Sequence, residues 1–157
     1  MEAGIERPED IPVLASWGRR LAAYLIDNLV LLLANVPAVA IIVAGLAQTP
    51  DNNGLFVLGA ALFVLSAFVV PAVYFTMLHG RSGQTLGKRW LRLRVVDAQT
   101  GVGIGYGRAF GRWLLVAVVN FLCGLLGLLD GLWPLWDQQN QTWHDKAVST
   151  VVVKLPA

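Results

Sequence analysis

The chain has 157 residues, 56% of them hydrophobic and 14% charged, a net charge of +2 and one cysteine, Cys123. Charge this sparse is unlike an ordinary soluble domain, where about a quarter of the residues are charged. A single cysteine excludes an intramolecular disulfide or a cysteine metal cluster. The net charge decides little, whereas its distribution along the chain decides orientation.

Residues 1–16 carry four acids and two prolines and read as a mobile tail, with Trp17 marking the interface where a membrane domain, 17–157, begins. Leu21 to Ala47 is apolar apart from Asp27 and opens on Arg19 and Arg20, and Leu55 to Leu78 has no charged residue. Each run exceeds the roughly 20 apolar residues that cover about 30 Å of hydrocarbon. The alternative, a helical hairpin buried in a soluble protein, needs a larger core than so short a chain supplies. The first run follows a polar tail and outlasts a signal-peptide h-region of about 7–15 residues, so no cleaved leader is expected.

Arg81, Lys88, Arg89, Arg92, Arg94 and Arg108 follow the second run, whereas Gln48 to Gly54 has no lysine or arginine. The positive-inside rule then puts the amino terminus and the basic segment in the cytoplasm and the short loop outside. Lys88, Arg89, Arg92 and Arg94 are expected to meet anionic lipid headgroups, which explains their charge without nucleic acid as a partner. Within this segment Leu86, Trp90 and Leu93 fall at helical spacing, the outline of an interfacial amphipathic helix. Gly83 to Arg89 departs from a phosphate-binding loop at both Ser82 and Arg89.

Leu93 to Asp97 predicts a short strand, Ala98 to Gly101 a turn, and the alternating Gly101, Gly103, Gly105 and Gly107 a flexible loop rather than a dinucleotide fingerprint. Thr150 to Lys154 repeats the strand pattern, and the two strands are expected to pair in the cytoplasm. Between them, Ala109 to Trp136 would span about 42 Å as one helix. It is one generous crossing or a hairpin of short helices broken at Gly124 and Gly127, and strand pairing favours the hairpin. Gly127 and Gly131 allow close helix packing within the protein or between protomers. Trp113, Trp133, Trp136 and Trp143 read as interfacial anchors. His79 and His144 lack partners at metal-ligand spacing, so neither metal nor cofactor is expected, and His144 with Asp145 reads as a polar clasp at the membrane surface.

An ionised carboxylate at a helix centre costs at least about 2.5–3.5 kcal/mol in a bilayer, so Asp27 needs a partner, a proton or a purpose. Arg20 lies on the same helical face, about 10.5 Å away, too far for a direct pair in a straight helix. Arg112, Asn120 and Asp130 are the candidate partners from the third apolar stretch.

Arg20-Leu-Ala-Ala-Tyr-Leu-Ile-Asp27, then Gly83-Gln-Thr-Leu-Gly-Lys-Arg89 leading into Arg94-Val-Val-Asp97, and Gln141-Thr-Trp-His-Asp-Lys146 with Thr150-Val-Val-Val153 occur in an order that resembles the RDD family of membrane proteins. The resemblance runs from about Trp17 to Lys154. It implies that the arginine and two aspartates of the family name are Arg20, Asp27 and Asp145, with Asp130 a competing match for the last. It also implies a bacterial or archaeal cytoplasmic membrane and a role in transport of an unidentified ligand. Gln138-Gln139-Asn140-Gln141 departs from relatives that are basic there.

These features together predict an all-α polytopic membrane protein with three or four membrane helices and a short cytoplasmic β-strand pair, multi-pass, oligomeric and not an enzyme. Its expected role is transport of an ion or small polar solute through a polar site of Arg20, Asp27, Asp145, Asp130, Arg112 and His144. The alternative is a non-transporting membrane scaffold or accessory subunit that binds lipid or a protein partner.

Overall fold

The computed structural model describes residues 13–47 and 53–156. Residues 1–12 of the expected tail and 48–52 of the short loop lie outside the described residues. Helix α1, Trp17–Leu46, and helix α2, Gly54–Ser82, pack as a long hairpin. At about 1.5 Å per residue their 30 and 29 residues reach roughly 45 Å, more than the hydrocarbon thickness. Both are long and apolar enough to cross a membrane, and most of their leucine, valine and phenylalanine side chains stay uncovered in the isolated chain. Small residues bring the two helices together: a Cβ on Gly45 would strike the Phe56 backbone, and one on Gly59 would lie 2.6 Å from the Ile42 nitrogen. Across the same seam Ser66 Oγ donates to Asn35 Oδ1 at 2.6 Å, while the Asn35 amide donates to Leu31 O at 2.9 Å.

Helix α2 ends at Gly83, whose left-handed φ of 71° glycine adopts without strain. Helix α3, Leu86–Trp90, follows with Thr85 as its N-cap. It is shorter than the expected amphipathic helix: Arg92 turns the chain at φ 54°, and Leu93, expected on the apolar helix face, instead opens strand β1, Leu93–Asp97, where it is fully buried. Helix α4, Gly105–Leu122, begins at the glycine-rich loop, and helix α5, Gly124–Leu132, follows it. The break falls at Cys123, in extended backbone with φ −162°, rather than at both Gly124 and Gly127. Gly127 lies inside α5, where its missing side chain makes room for Asn120 of α4. A short 3-10 turn, Trp133–Leu135, leads to helix α6, Trp143–Ala147, and strand β2, Thr150–Lys154.

The strands form an antiparallel pair in the register Leu93 with Lys154 to Asp97 with Thr150. Residues 13–15, the end of the expected tail, lie against the other edge of β2: Leu14 bridges Val153, Ala15 N–H donates to Val152 O at 2.9 Å, and Lys154 N–H donates to Val13 O at 2.7 Å. Leu93, Val95 and Val152 meet Ala15, Ala23, Ile104 and Ala109 on one face of this sheet, while Val96, Val151 and Val153 cluster on the other. Chain from before α1, from after α2 and from after α5 thus shares one sheet.

Antiparallel ladder bonds alternate along a strand. Leu155 N–H donates to Arg92 O at 2.8 Å and Ala98 N–H to Ser149 O at 3.0 Å, so Val151 and Val153 face the β1 ladder and Val152 faces residues 13–15. Val151→Pro is therefore expected to remove a β1 bond and to open the carboxy terminus to limited proteolysis, with helix content little changed. Lys154→Pro, which removes the N–H donated to Val13 O, is expected to release residues 13–15 instead. Identical protease resistance of Val151→Pro and the unmodified protein would refute the ladder assignment.

Candidate functional site

Asp145 is the centre of the larger of two polar nodes. It lies in α6, where Thr142 and Asp145 make a reciprocal capping box: the Asp145 N–H donates to Thr142 Oγ1 at 3.1 Å, and the Thr142 N–H donates to Asp145 Oδ2 at 3.2 Å. Its fully buried carboxylate also pairs with Arg20 of α1, and with Arg112 of α4 at 2.8 Å. Burial alone would push the Asp145 pKa up. Arg112, then Arg20 and His144, override it and hold the carboxyl far below the usual carboxylate range. Two guanidiniums from different helices and a capped turn after α5 thus converge on one carboxylate.

Neighbouring groups fix each member. Arg112 Nη1 donates to Thr150 Oγ1 at 3.2 Å, Thr150 Oγ1 donates to Asp145 O at 3.3 Å, and Gln141 Nε2 donates to Thr150 O at 2.9 Å. Arg20 also donates to Asn140 O, and Trp17 Nε1 donates to Gly131 O at 2.9 Å. His144 lies between two carboxylates: its Nδ1 is 2.6 Å from Asp130 Oδ2, and its Nε2 is 3.6 Å from Asp145 Oδ1 and 3.3 Å from Arg112 Nη2. The His144 N–H also donates to Asp130 Oδ1 at 3.2 Å. Asp130 of α5 thereby returns to the level of Arg112 on α4, so α5 runs back along α4.

Asp27 forms a separate node. It is fully buried, and its donors are neutral: Tyr74 Oη at 2.8 Å and the Gly87 N–H at 2.8 Å to Oδ1, and Thr85 Oγ1 at 2.6 Å to Oδ2. Tyr74 Oη in turn accepts the Leu86 N–H at 3.1 Å. Arg112, Asn120 and Asp130, expected as its partners, lie elsewhere: Arg112 and Asp130 belong to the Asp145 node, and the Asn120 amide donates to Val116 O at 2.8 Å. The physical reason is proximity, since α3 packs on α1 and offers Asp27 the free backbone donors of a helix start. A Cβ on Gly87 would lie 3.0 Å from Asp27 Oδ1, so glycine lets the α3 backbone approach.

Of the six expected site residues, Arg20, Arg112, Asp130, His144 and Asp145 come together, and Asp27 stands apart with Tyr74, Thr85 and Gly87. Among the lipid-surface candidates Arg89 and Arg92 are exposed, whereas Lys88 and Arg94 are half-buried. Lys88 departs from the expectation because α3 lies against α1 and carries that side of the helix inward. Among the tryptophans, Trp133 and Trp136 are both exposed, and Trp133 packs on Trp143 with ring centroids 5.3 Å apart. Among the described residues no group of three or more His, Cys, Asp or Glu side chains is arranged to hold a metal.

A family model described as the RDD family matches residues 14–149. A proline-rich antigen of Mycobacterium leprae is 25% identical over 163 residues, covering 88% of this chain and 60% of the relative. A proline-rich antigen homolog of Mycobacterium tuberculosis is 36% identical over 76 residues, covering 48% of this chain and 30% of the relative. The chain therefore spans less than two thirds of these relatives' length. No solved structure matches it.

Proposed function

Because the chain belongs to the RDD family, we propose that it is a multi-pass protein of the cytoplasmic membrane that moves an ion or small polar solute, using the polar groups that join its helices. The observation that carries this reading is His144 between Asp130 and Asp145, in contact with Arg112. The imidazole joins a carboxylate of α5 to one of α6 and touches a guanidinium of α4, so movement of any of these helices must exchange polar contacts at their junction. Such a cluster of ionisable groups between apolar helices is where an ion or polar solute would find exchangeable partners. No catalytic step is part of this role.

In this proposal α1 and α2 cross the bilayer and α4 with α5 forms a re-entrant hairpin. Helix α5, with 9 residues, extends only about 14 Å and cannot cross alone. The shared sheet supports a topology in which both hairpins return to the side from which they left, and the positive-inside rule favours the cytoplasm for that side. The uncovered apolar helix faces support packing among copies in the membrane. Saturable solute flux into sealed vesicles, lost on His144→Gln with folded yield retained, is the expected result. Unaltered flux in that variant would remove the observation on which the transport role rests.

A second reading, a non-transporting scaffold, is favoured by Asp27, whose carboxylate is satisfied by three neutral donors and ties α1 to α2 and α3.

Orientation has its own test. In a Cys123→Ser background, a cysteine at Asn53 is expected to react with an impermeant thiol reagent in intact cells, and one at Gln99 only after lysis. Reaction of Gln99→Cys in intact cells would reverse the orientation.

A further inference from the structure

The α1–α2 seam is hollow at one level. A groove of about 300 Å³ runs along it, walled by Ala34, Pro37 and Ile41 of α1 and by Leu62, Leu65 and Ser66 of α2. Its origin is local: Ala34 is too short to fill the space between the helices, and Pro37, inside α1, has no N–H to continue the backbone ladder. The groove opens sideways, with Leu62 and Leu65 exposed. Ser66 is the polar side chain in its wall, and its Oγ donates to Asn35 Oδ1 while keeping the capacity to accept.

The tip of the α4–α5 hairpin is the complementary feature. Phe121 and Leu122 are 83% and 71% exposed there. Asn120 beside them is exposed too: its amide donates to Val116 O at 2.8 Å, and its Oδ1 lies against Gly127 of α5. Its second amide hydrogen has no partner among the described residues. Depth links the tip to the groove. Tyr106 of α4 packs on Gly80 of α2, and from that contact α4 runs back beside α2. Asn120 is 14 residues beyond Tyr106 and Ser66 is 14 residues before Gly80, so both reach one level, about 21 Å from the contact. In the proposed topology that level is hydrocarbon, where no water serves an unpaired amide.

A lipid tail fills an apolar groove but offers nothing to Asn120 or Ser66. A second copy of the chain, held in the same bilayer plane, brings the one to the other at matching depth. We propose that the α4–α5 tip of one copy docks in the α1–α2 groove of another, with Phe121 against the aliphatic walls and the free Asn120 amide hydrogen donated to Ser66 Oγ. Tip and groove are different surfaces, so the contact is heterologous. This docking rests on the membrane topology proposed above and is independent of solute flux.

The test uses native Cys123, exposed at the tip one turn beyond Asn120. Two full-length chains with different tags are co-expressed. One keeps Cys123; the other carries Cys123→Ser with either Leu62→Cys, in the groove wall, or Val64→Cys, exposed near that depth but outside the groove. Membranes are oxidised with copper phenanthroline, and disulfides joining the two tags are counted. The Leu62→Cys product is expected to exceed the Val64→Cys product about threefold or more, and Asn120→Ala in the first chain to lower it by a similar factor. Should Asn120→Ala fail to fold, the comparison of Leu62→Cys with Val64→Cys decides. Equal products at the two positions, products confined to pairs of Cys123, or no product, as when lipid fills the groove, overturn the docking. A polar maleimide that does not enter lipid, applied to broken membranes, separates the premise: modification of Cys123 removes the topology and the docking together, whereas a protected Cys123 without the cross-tag product removes the docking alone.

Discussion

Asp145→Asn is expected to cost about 3–5 kcal/mol of stability, because it leaves Arg20 and Arg112 buried against a neutral amide. The Asp145 side chain is fully buried, and Arg20 and Arg112 are 11% and 6% exposed, so water replaces little of what is lost. Lys146→Gln is the contrasting change. It breaks the Lys146 to Asp137 pair, whose lysine side chain is 46% exposed, and is expected to cost less than about 1 kcal/mol. Thermal unfolding in mild detergent checks both, and equal losses for the two variants would show that Asp145 is not the keystone of its node. Acid provides a second readout. The Asp145 carboxyl is held below its unfolded value of about 3.9, so its contribution is fully present above that pH and is lost as pH falls below it. The unfolding midpoint is therefore expected to fall below about pH 4, and less steeply in Asp145→Asn.

Asp27→Leu is expected to be the other severe change, since it orphans the Tyr74 hydroxyl, the Thr85 hydroxyl and the Gly87 N–H at about 1–3 kcal/mol each before any relaxation. Asp27→Asn fits the same site. Its carbonyl can accept from Tyr74 and Gly87, and its amide can donate to Thr85 once that hydroxyl rotates. Folded yield is thus expected to survive in the Asn variant and to collapse in the Leu variant. Vesicle flux then separates two roles that folding alone cannot. Normal folding with lost flux in Asp27→Asn assigns the carboxylate a charge-dependent step, whereas normal folding with wild-type flux leaves it only as the tie between α1 and α3.

Much of the framework was legible in the sequence because it follows from local pattern. Leu93 to Asp97 and Thr150 to Lys154 are valine-rich runs bounded by turn residues, and their limits match β1 and β2 residue for residue. The apolar runs likewise mark α1 and α2. The partners of Asp27 were not legible, because a buried acid invites a search for a cation, while neutral donors and a helix start stabilise a carboxylate equally well and leave no charge signature. Thr85 lies in the quoted Gly83 to Arg89 motif, but only the fold brings it to Asp27. Thr142-x-x-Asp145 was a readable capping signal for α6. Its pairing with Arg20 spans 125 positions; the family resemblance named both residues but not their pairing, which only the fold reveals. The end of α3 was missed because Leu93 satisfies a helical period and a strand period alike, and burial within the sheet decided between them.

The sheet shared by residues 13–15, β1 and β2 also imposes an order on biogenesis. Its middle strand, β2, follows both helical hairpins in the described chain, so during synthesis the two outer segments must wait, unpaired, until both hairpins have been made. In the proposed topology, a chain with either hairpin stranded on the wrong face of the membrane cannot complete the sheet and leaves valine-rich edges open to proteases. In the proposed topology the small sheet thus closes only when both hairpins have returned to one side, which ties its completion to correct insertion.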